Sequence, residues 1–114
     1  MSFALTTRQY QNKTKSVTRR NGWKFAKVGD MVNGCEKCQG LKRGERITVL
    51  GQHRWVCLRW EPLRRMTDDL EYGKREVNLE GFPEMTPQEF VDMYCKHNKV
   101  TPDALIHRME FEYL

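Results

Sequence analysis

A chain of 114 residues can bury one modest hydrophobic core and not two, so a single domain over residues 1–114 is expected. At 39% hydrophobic and 31% charged residues the composition is globular, and there is no low-complexity block and no 18-residue apolar run of the kind that spans a bilayer. The net charge of +5 conceals an asymmetry: residues 1–65 hold 15 Lys and Arg against 4 Asp and Glu, and residues 66–114 hold 5 against 11. A cationic half favours polyphosphate partners such as RNA, unless the two halves neutralise each other within the fold.

The opening MSFALTTRQY has neither a basic start nor a long apolar centre, so it does not read as a secretory signal. With four cysteines and no export signal, a reducing cytoplasm is expected, with thiols free or metal-bound. Phe3, Ala4 and Leu5 are candidates for the core. Thr6-Thr7-Arg8-Gln9-Tyr10 predicts a short helix capped by a threonine hydroxyl and ending by Asn12. Next comes Thr14-Lys15-Ser16-Val17-Thr18-Arg19-Arg20, in which only Val17 is apolar; it reads either as a solvated loop or as a site. Asn21-Gly22 favours a turn. Trp23–Val28 alternates apolar and basic residues, as a strand or a packed connector would, and Gly29-Asp30 closes it.

Met31-Val32 starts a short apolar segment. Ile47–Leu50 and Trp55–Trp60 are stronger predicted strands, rich in β-branched and aromatic residues, with Gly40, Gly44 and Gly51 as separators and Pro62 as a stop. Short strands with glycine turns and no long helix between them point to an antiparallel sheet or small barrel. Thr86-Pro87-Gln88-Glu89 predicts a capping box with proline at the first helical position. Phe90, Met93, Tyr94 and His97 then fall on one helical face, read as packing. Residues 105–114 predict a half-buried closing strand that alternates from Ile106 through Phe111, with Arg108, Glu110 and Glu112 on the opposite face.

Five segments in order resemble the ASCH domain family. They are Lys15-Ser16-Val17-Thr18-Arg19-Arg20 after a first helix, Val28-Gly29-Asp30, Glu61-Pro62-Leu63, Glu80-Gly81-Phe82, and Met109-Glu110-Phe111. The resemblance covers most of the chain. It implies an α+β fold, a PUA-like, mostly antiparallel β-barrel with flanking short helices, and an origin in a phage or bacterium. One branch of the family, an acetylcytidine amidohydrolase, uses a lysine, a threonine and a glutamate. By that resemblance Lys15, Thr18 and Glu80 are the candidate catalytic residues, with Arg20 holding a substrate oxygen. Two departures stand out: Arg19 replaces an apolar residue, and the Glu80-Gly81-Phe82 context is that of members without proven activity.

In chemical terms, a threonine hydroxyl attacks an amide only after a base takes its proton, and a lysine serves as that base only when its ammonium is destabilised. Arg19, Arg20 and Lys13 would favour neutral Lys15, and a close Glu80 would favour the charged form. The leading expectation is an RNA- or nucleotide-binding module with a cationic cleft built from Lys15, Thr18, Arg20 and Glu80, with Ser16 and Arg19 as further binding candidates and Arg8 and Lys24 extending the cationic face. Trp23 and Trp60 are candidate stacking platforms, although an indole among alternating apolar residues also suits a core. The alternatives are an amidohydrolase releasing the acyl group from N-acylated cytidine, and a phage accessory protein that binds a host protein. A monomer with no cofactor and no membrane attachment is expected.

Other signals are weaker. Cys35 and Cys38 have zinc-ligand spacing without a second pair, and Cys57, Cys95, His53 and His97 would complete a site only if the fold gathered them. His107 is expected to be exposed or hydrogen-bonded in the closing strand. Asp68, Asp69 and Glu71 read as a helix start or solvated face before a metal site. There is no GxxxxGK[ST], no GxGxxG after a strand and no HExxH, so nucleotide hydrolysis, dinucleotide binding and zinc proteolysis have no support.

Overall fold

A computed structural model describes residues 1–37, 44 and 46–114. In chain order the elements are α1 (Thr7–Gln11), β1 (Val17–Arg20), β2 (Met31–Cys35), β3 (Val49–Pro62), α2 (Arg65–Asp68), α3 (Leu70–Leu79), α4 (Pro87–Asn98) and β4 (Leu105–Tyr113). The strands form one antiparallel sheet in the order β1-β4-β3-β2, curled into a half-barrel. The fold is therefore α+β with short helices, as expected, and among the described residues four strands curl without closing a barrel.

β4 is the centre of this arrangement, paired with β1 on one side and with β3 on the other. Strand alternation sends Met109 and Phe111 into a cluster with Phe3, Tyr10 and Trp55. It sends Ile106 to the opposite face, against Leu63, Met66, Val77, Phe90 and Val91. The closing strand is thus buried on both faces rather than half-buried, because α3 lies over the side that carries Arg108. Truncating Phe111, 3% exposed, to alanine is expected to cost about 3–5 kcal/mol.

Several local expectations change for identifiable reasons. Ile47-Thr48 lies outside the sheet, and Val49–Leu50 and Trp55–Trp60 join into a single 14-residue strand. Gly51 does not turn the chain there; it pairs with Gly34 on β2. The two glycines make a slot for the Tyr10 ring, since a Cβ on Gly34 would stand 2.3 Å from it. Residues 23–28 form a connector rather than a strand. Trp23 has φ 63°, and the chain is tied to β3 at its end by Gly29 N–H to the Trp55 carbonyl (2.8 Å). Phe3 enters the core, whereas Ala4 and Leu5 are exposed.

The first helix ends at Gln11 as predicted, yet the Thr6 hydroxyl does not cap it; Thr7 Oγ1 donates instead to the Phe3 carbonyl (2.9 Å). α4 starts as predicted, with Glu89 N–H donating to Thr86 Oγ1 (3.1 Å) and Thr86 N–H to Glu89 Oε1 (3.0 Å). The acidic run before Leu70 is a helix start: Asp69 accepts from the Tyr72 N–H (3.2 Å), and Asp68 pairs with Arg64 (3.2 Å). No described helix is long and apolar enough to cross a membrane.

Candidate functional site

The segment Lys15–Arg20 is not a solvated loop: Val17–Arg20 forms β1, and Lys15 and Ser16 just before it are buried and half-buried. Ser16 donates its N–H to the Leu79 carbonyl (2.8 Å) and accepts from Phe111 (2.9 Å), which fixes the register in which β1 joins β4. Alternation then turns Val17 and Arg19 toward α3, and Thr18 and Arg20 toward the other face. Lys15, 2% exposed, lies just before the strand.

On the α3 side, three arginines stand in register on neighbouring strands: Arg19 opposite Arg108, and Arg108 opposite Arg59. Like charges directly opposite one another repel, so the row holds only because carboxylates interleave it. Glu76 accepts from Arg19 Nη2 and from Arg108 Nε (2.6 Å) and Nη2 (3.0 Å). Glu80 accepts from Arg19 Nη1 (3.0 Å), and Glu61 accepts from Arg59 Nε (2.9 Å) and from the Tyr72 hydroxyl (2.8 Å). Burial alone would raise the Glu76 pKa, but Arg108 and Arg19 overcome it and hold the carboxyl down at about 2.

Glu80 is the residue that ends α3, and Gly81 after it turns the chain with φ 98°. There Lys15 Nζ donates to the Glu80 carbonyl (2.8 Å) and to Glu80 Oε1 (2.9 Å). A cation at a helix C-terminus meets the negative end of the dipole, which adds to the pairing. Burial lowers the Lys15 pKa, Glu80 opposes that shift, and the charges of Arg20 and Arg19 assist it. The balance between like and opposite charges was legible in the sequence; the dominant influence, desolvation, was not.

Lys15, Thr18, Arg20 and Glu80 line one cavity of about 310 Å³. Its other walls are Phe3 and Thr6 from the N-terminal segment, Phe82 after α3, and Phe90, Met93, Tyr94 and His97 from α4. The helical stripe expected to be packing alone is therefore also a wall of the cavity. Thr18 Oγ1 accepts from Arg20 Nε (3.1 Å), and Arg20 Nη2 donates to the Ser2 carbonyl (2.7 Å). The Arg20 guanidinium also lies over the Phe3 ring, 5.1 Å from its centroid. The Tyr94 hydroxyl is buried and has no hydrogen-bond partner among the described residues.

The remaining candidates are placed elsewhere or play another part. Arg19 lines the cavity too, but its guanidinium is committed to Glu76 and Glu80. Ser16, Trp23 and Lys24 do not line it: Ser16 holds the strand register, Trp23 meets Trp55 edge-on at 6.4 Å, and Lys24 is exposed on the connector. Trp60 stacks on His107 at 4.3 Å and 9°, away from the cavity, and the His107 ring is buried beside the Gly22 carbonyl (3.2 Å). Part of the N-terminal cationic excess is neutralised across the halves, through Lys15–Glu80, Arg19–Glu76, Arg54–Glu112 and Arg64–Asp103. Arg8, Lys13, Lys24, Lys27 and Arg46 remain at the surface.

The metal candidates are not gathered. His53 is buried among aromatic rings with Nδ1 beside Tyr10 Oη (2.9 Å), while His97 and Cys95 belong to α4 and Cys57 to β3. Cys35 is buried, and Cys38, with Gly40, lies outside the described residues. Among the described residues no group of three or more His, Cys, Asp or Glu side chains is placed to hold a metal ion.

No family model, curated protein or solved structure matches the chain.

Proposed function

We propose that the cavity binds one nucleobase-sized ligand, a nucleoside, a nucleotide or an unpaired base of RNA, and that the protein is an ASCH-type module with a PUA-like fold. The observation that carries this reading is a convergence: Lys15, Thr18, Arg20 and Glu80 meet the rings of Phe3, Phe82, Phe90 and Tyr94 around one cavity of about 310 Å³. Small-molecule sites span roughly 300–1,000 Å³, and they combine apolar walls that bury the ligand with a few polar groups that orient it. A space of this size suits a single base and excludes a duplex, so an RNA partner would present an unstacked base. The exposed Arg8 and Lys13 on and after α1 supply cations for a flanking phosphate.

The test is calorimetric titration with uridine, cytidine, acetylcytidine and a short single-stranded RNA, repeated with Thr18→Val. Saturable binding weakened about tenfold by that substitution, with unchanged circular dichroism, supports the reading. Absence of saturable binding to all four probes overturns it. For the RNA, affinity that does not fall with rising salt rules out phosphate contacts.

One observation favours a second reading, amide hydrolysis: burial lowers the pKa of Lys15 in the same cavity as the Thr18 hydroxyl. In that reaction neutral Lys15 takes the Thr18 proton as Oγ1 adds to the acyl carbonyl, and Arg20 Nε steadies the oxygen. The C–N bond breaks, the amine leaves with the proton returned by Lys15, and water cleaves the acyl-threonine ester to release the acid. Glu80 holds Lys15 in place throughout. Release of cytidine from acetylcytidine, lost in Thr18→Val, is the expected result; no turnover, or turnover unchanged in the variant, refutes it.

A further inference from the structure

The α4 wall carries a polar group that the fold leaves unused. Tyr94, 6% exposed, has a buried hydroxyl without a partner among the described residues, and it lines the same cavity as Lys15 and Thr18. Leaving a buried hydroxyl unpaired is unfavourable, and of the three such atoms among the described residues, His53 Nε2, Trp55 Nε1 and Tyr94 Oη, only the last belongs to a residue that lines the cavity, where a ligand would satisfy it. Burial and the nearby Glu80 carboxylate push its pKa up, so the proton stays on the oxygen and the group can donate. Of the charges that act on it, Glu80, Arg20 and Arg19 are groups of this cavity, and Cys95 is its neighbour on α4. Beside it on α4, Asn98 Nδ2 donates to the Tyr94 backbone carbonyl (3.1 Å), and the Phe90 ring lies 6.3 Å away.

The same cavity is lined by further donors. Thr18 Oγ1 already accepts from Arg20, which leaves its own proton to donate. Charged Lys15 directs two of its three N–H groups at Glu80, leaving a third. The acceptors of Glu80 are engaged: one carboxylate oxygen and the carbonyl take Lys15, and the other oxygen takes Arg19. We propose that Tyr94 Oη is a specificity-determining donor which, opposite Thr18 and Lys15, selects a planar ring bearing acceptors on two edges. An oxo-pyrimidine such as uracil has that pattern, and so does cytosine once its amine is acylated, since the acyl carbonyl adds an acceptor to a donor edge. Unmodified cytosine, with its amine facing the Lys15 ammonium, which only donates, does not.

This inference rests on the cavity being a base site, and Tyr94→Phe separates the two. The substitution removes one oxygen and keeps the ring, so the free protein should unfold at the same temperature or higher. With uridine and acetylcytidine as probes, the variant is expected to bind about 3- to 10-fold more weakly than the wild type, the loss of one hydrogen bond. Cytidine should bind the wild type at least fivefold more weakly than uridine. Equal affinity of wild type and Tyr94→Phe for uridine and acetylcytidine overturns the role of Tyr94, because packing alone would leave affinity unmoved. Cytidine binding as tightly as uridine overturns the ligand class. Failure of the wild type to bind any of the three nucleosides overturns the base-site reading itself, and this inference with it.

Discussion

Replacing Glu80 by glutamine tests the site at the point where fold and chemistry meet. Glu80 Oε1 accepts from Lys15 (2.9 Å) and Oε2 from Arg19 (3.0 Å), with both partners buried. An amide of the same shape has one oxygen, so its NH₂ must face one of two cations. Arg19 keeps Glu76 as a partner, whereas Lys15 keeps only the Glu80 carbonyl. Removing one partner of a buried pair typically costs about 3–5 kcal/mol, which sets the expected loss at pH 7. Lys15 can limit the damage by giving up its proton, because burial already lowers its pKa. For a lysine with a lowered folded-state pKa, the unfolded chain binds more protons between that pKa and the unfolded value of about 10.4, so stability rises with pH there. In Glu80→Gln the folded-state pKa drops further and that rise begins at lower pH. Urea unfolding of both proteins at pH 7 and pH 9 should show a gap that narrows at pH 9. A variant within about 0.5 kcal/mol of wild type at pH 7, or a gap independent of pH, would refute the claim that Glu80 holds a buried ammonium.

Acid should destabilise the protein in two separable windows. Burial holds the His53 pKa down at about 4, so its contribution is complete above the unfolded value near 6.5 and is lost as pH falls toward 4, roughly 3 kcal/mol in all. In His53→Gln, urea midpoints should lose most of that dependence; an unchanged slope between pH 6.5 and 4 would contradict a buried neutral imidazole. Glu76, held at about 2, contributes above pH 4.5 and loses about 3 kcal/mol as pH falls toward 2, so Glu76→Gln should be destabilised at pH 7 and far less acid-sensitive below pH 4. Gly81→Ala places a side chain at φ 98° and 2.8 Å from Gln9, which should cost about 1–2 kcal/mol by thermal unfolding. A neutral result there would mean that the turn after α3 relaxes without moving Lys15.

What could be read from the sequence follows from which interactions are local. The α4 start was legible because a capping box is written in four consecutive residues, and the central and closing strands were legible from their β-branched and aromatic content. α3 was not, because its buried face contains Tyr72, Gly73 and Glu76: a glutamate at a core position looks like surface until Arg19 and Arg108 are known to meet it. Gly51 reads as a separator for a similar reason, since its place in the sheet depends on pairing with Gly34 on another strand. For the site, the Lys15–Glu80 pairing was anticipated from the resemblance and is realised at 2.9 Å. Arg19 lines the same cavity, but its pairing with Glu76 and Glu80 joins residues more than fifty positions apart, which local sequence does not display. Tyr94 was passed over because Phe90, Met93, Tyr94 and His97 fit an apolar stripe so well that one hydroxyl in it carried no weight. A helical stripe places groups on one face without saying whether that face meets packed side chains or a cavity. Here the one stripe does both, since Phe90 and Tyr94 belong to the core cluster and, with Met93 and His97, also line the cavity.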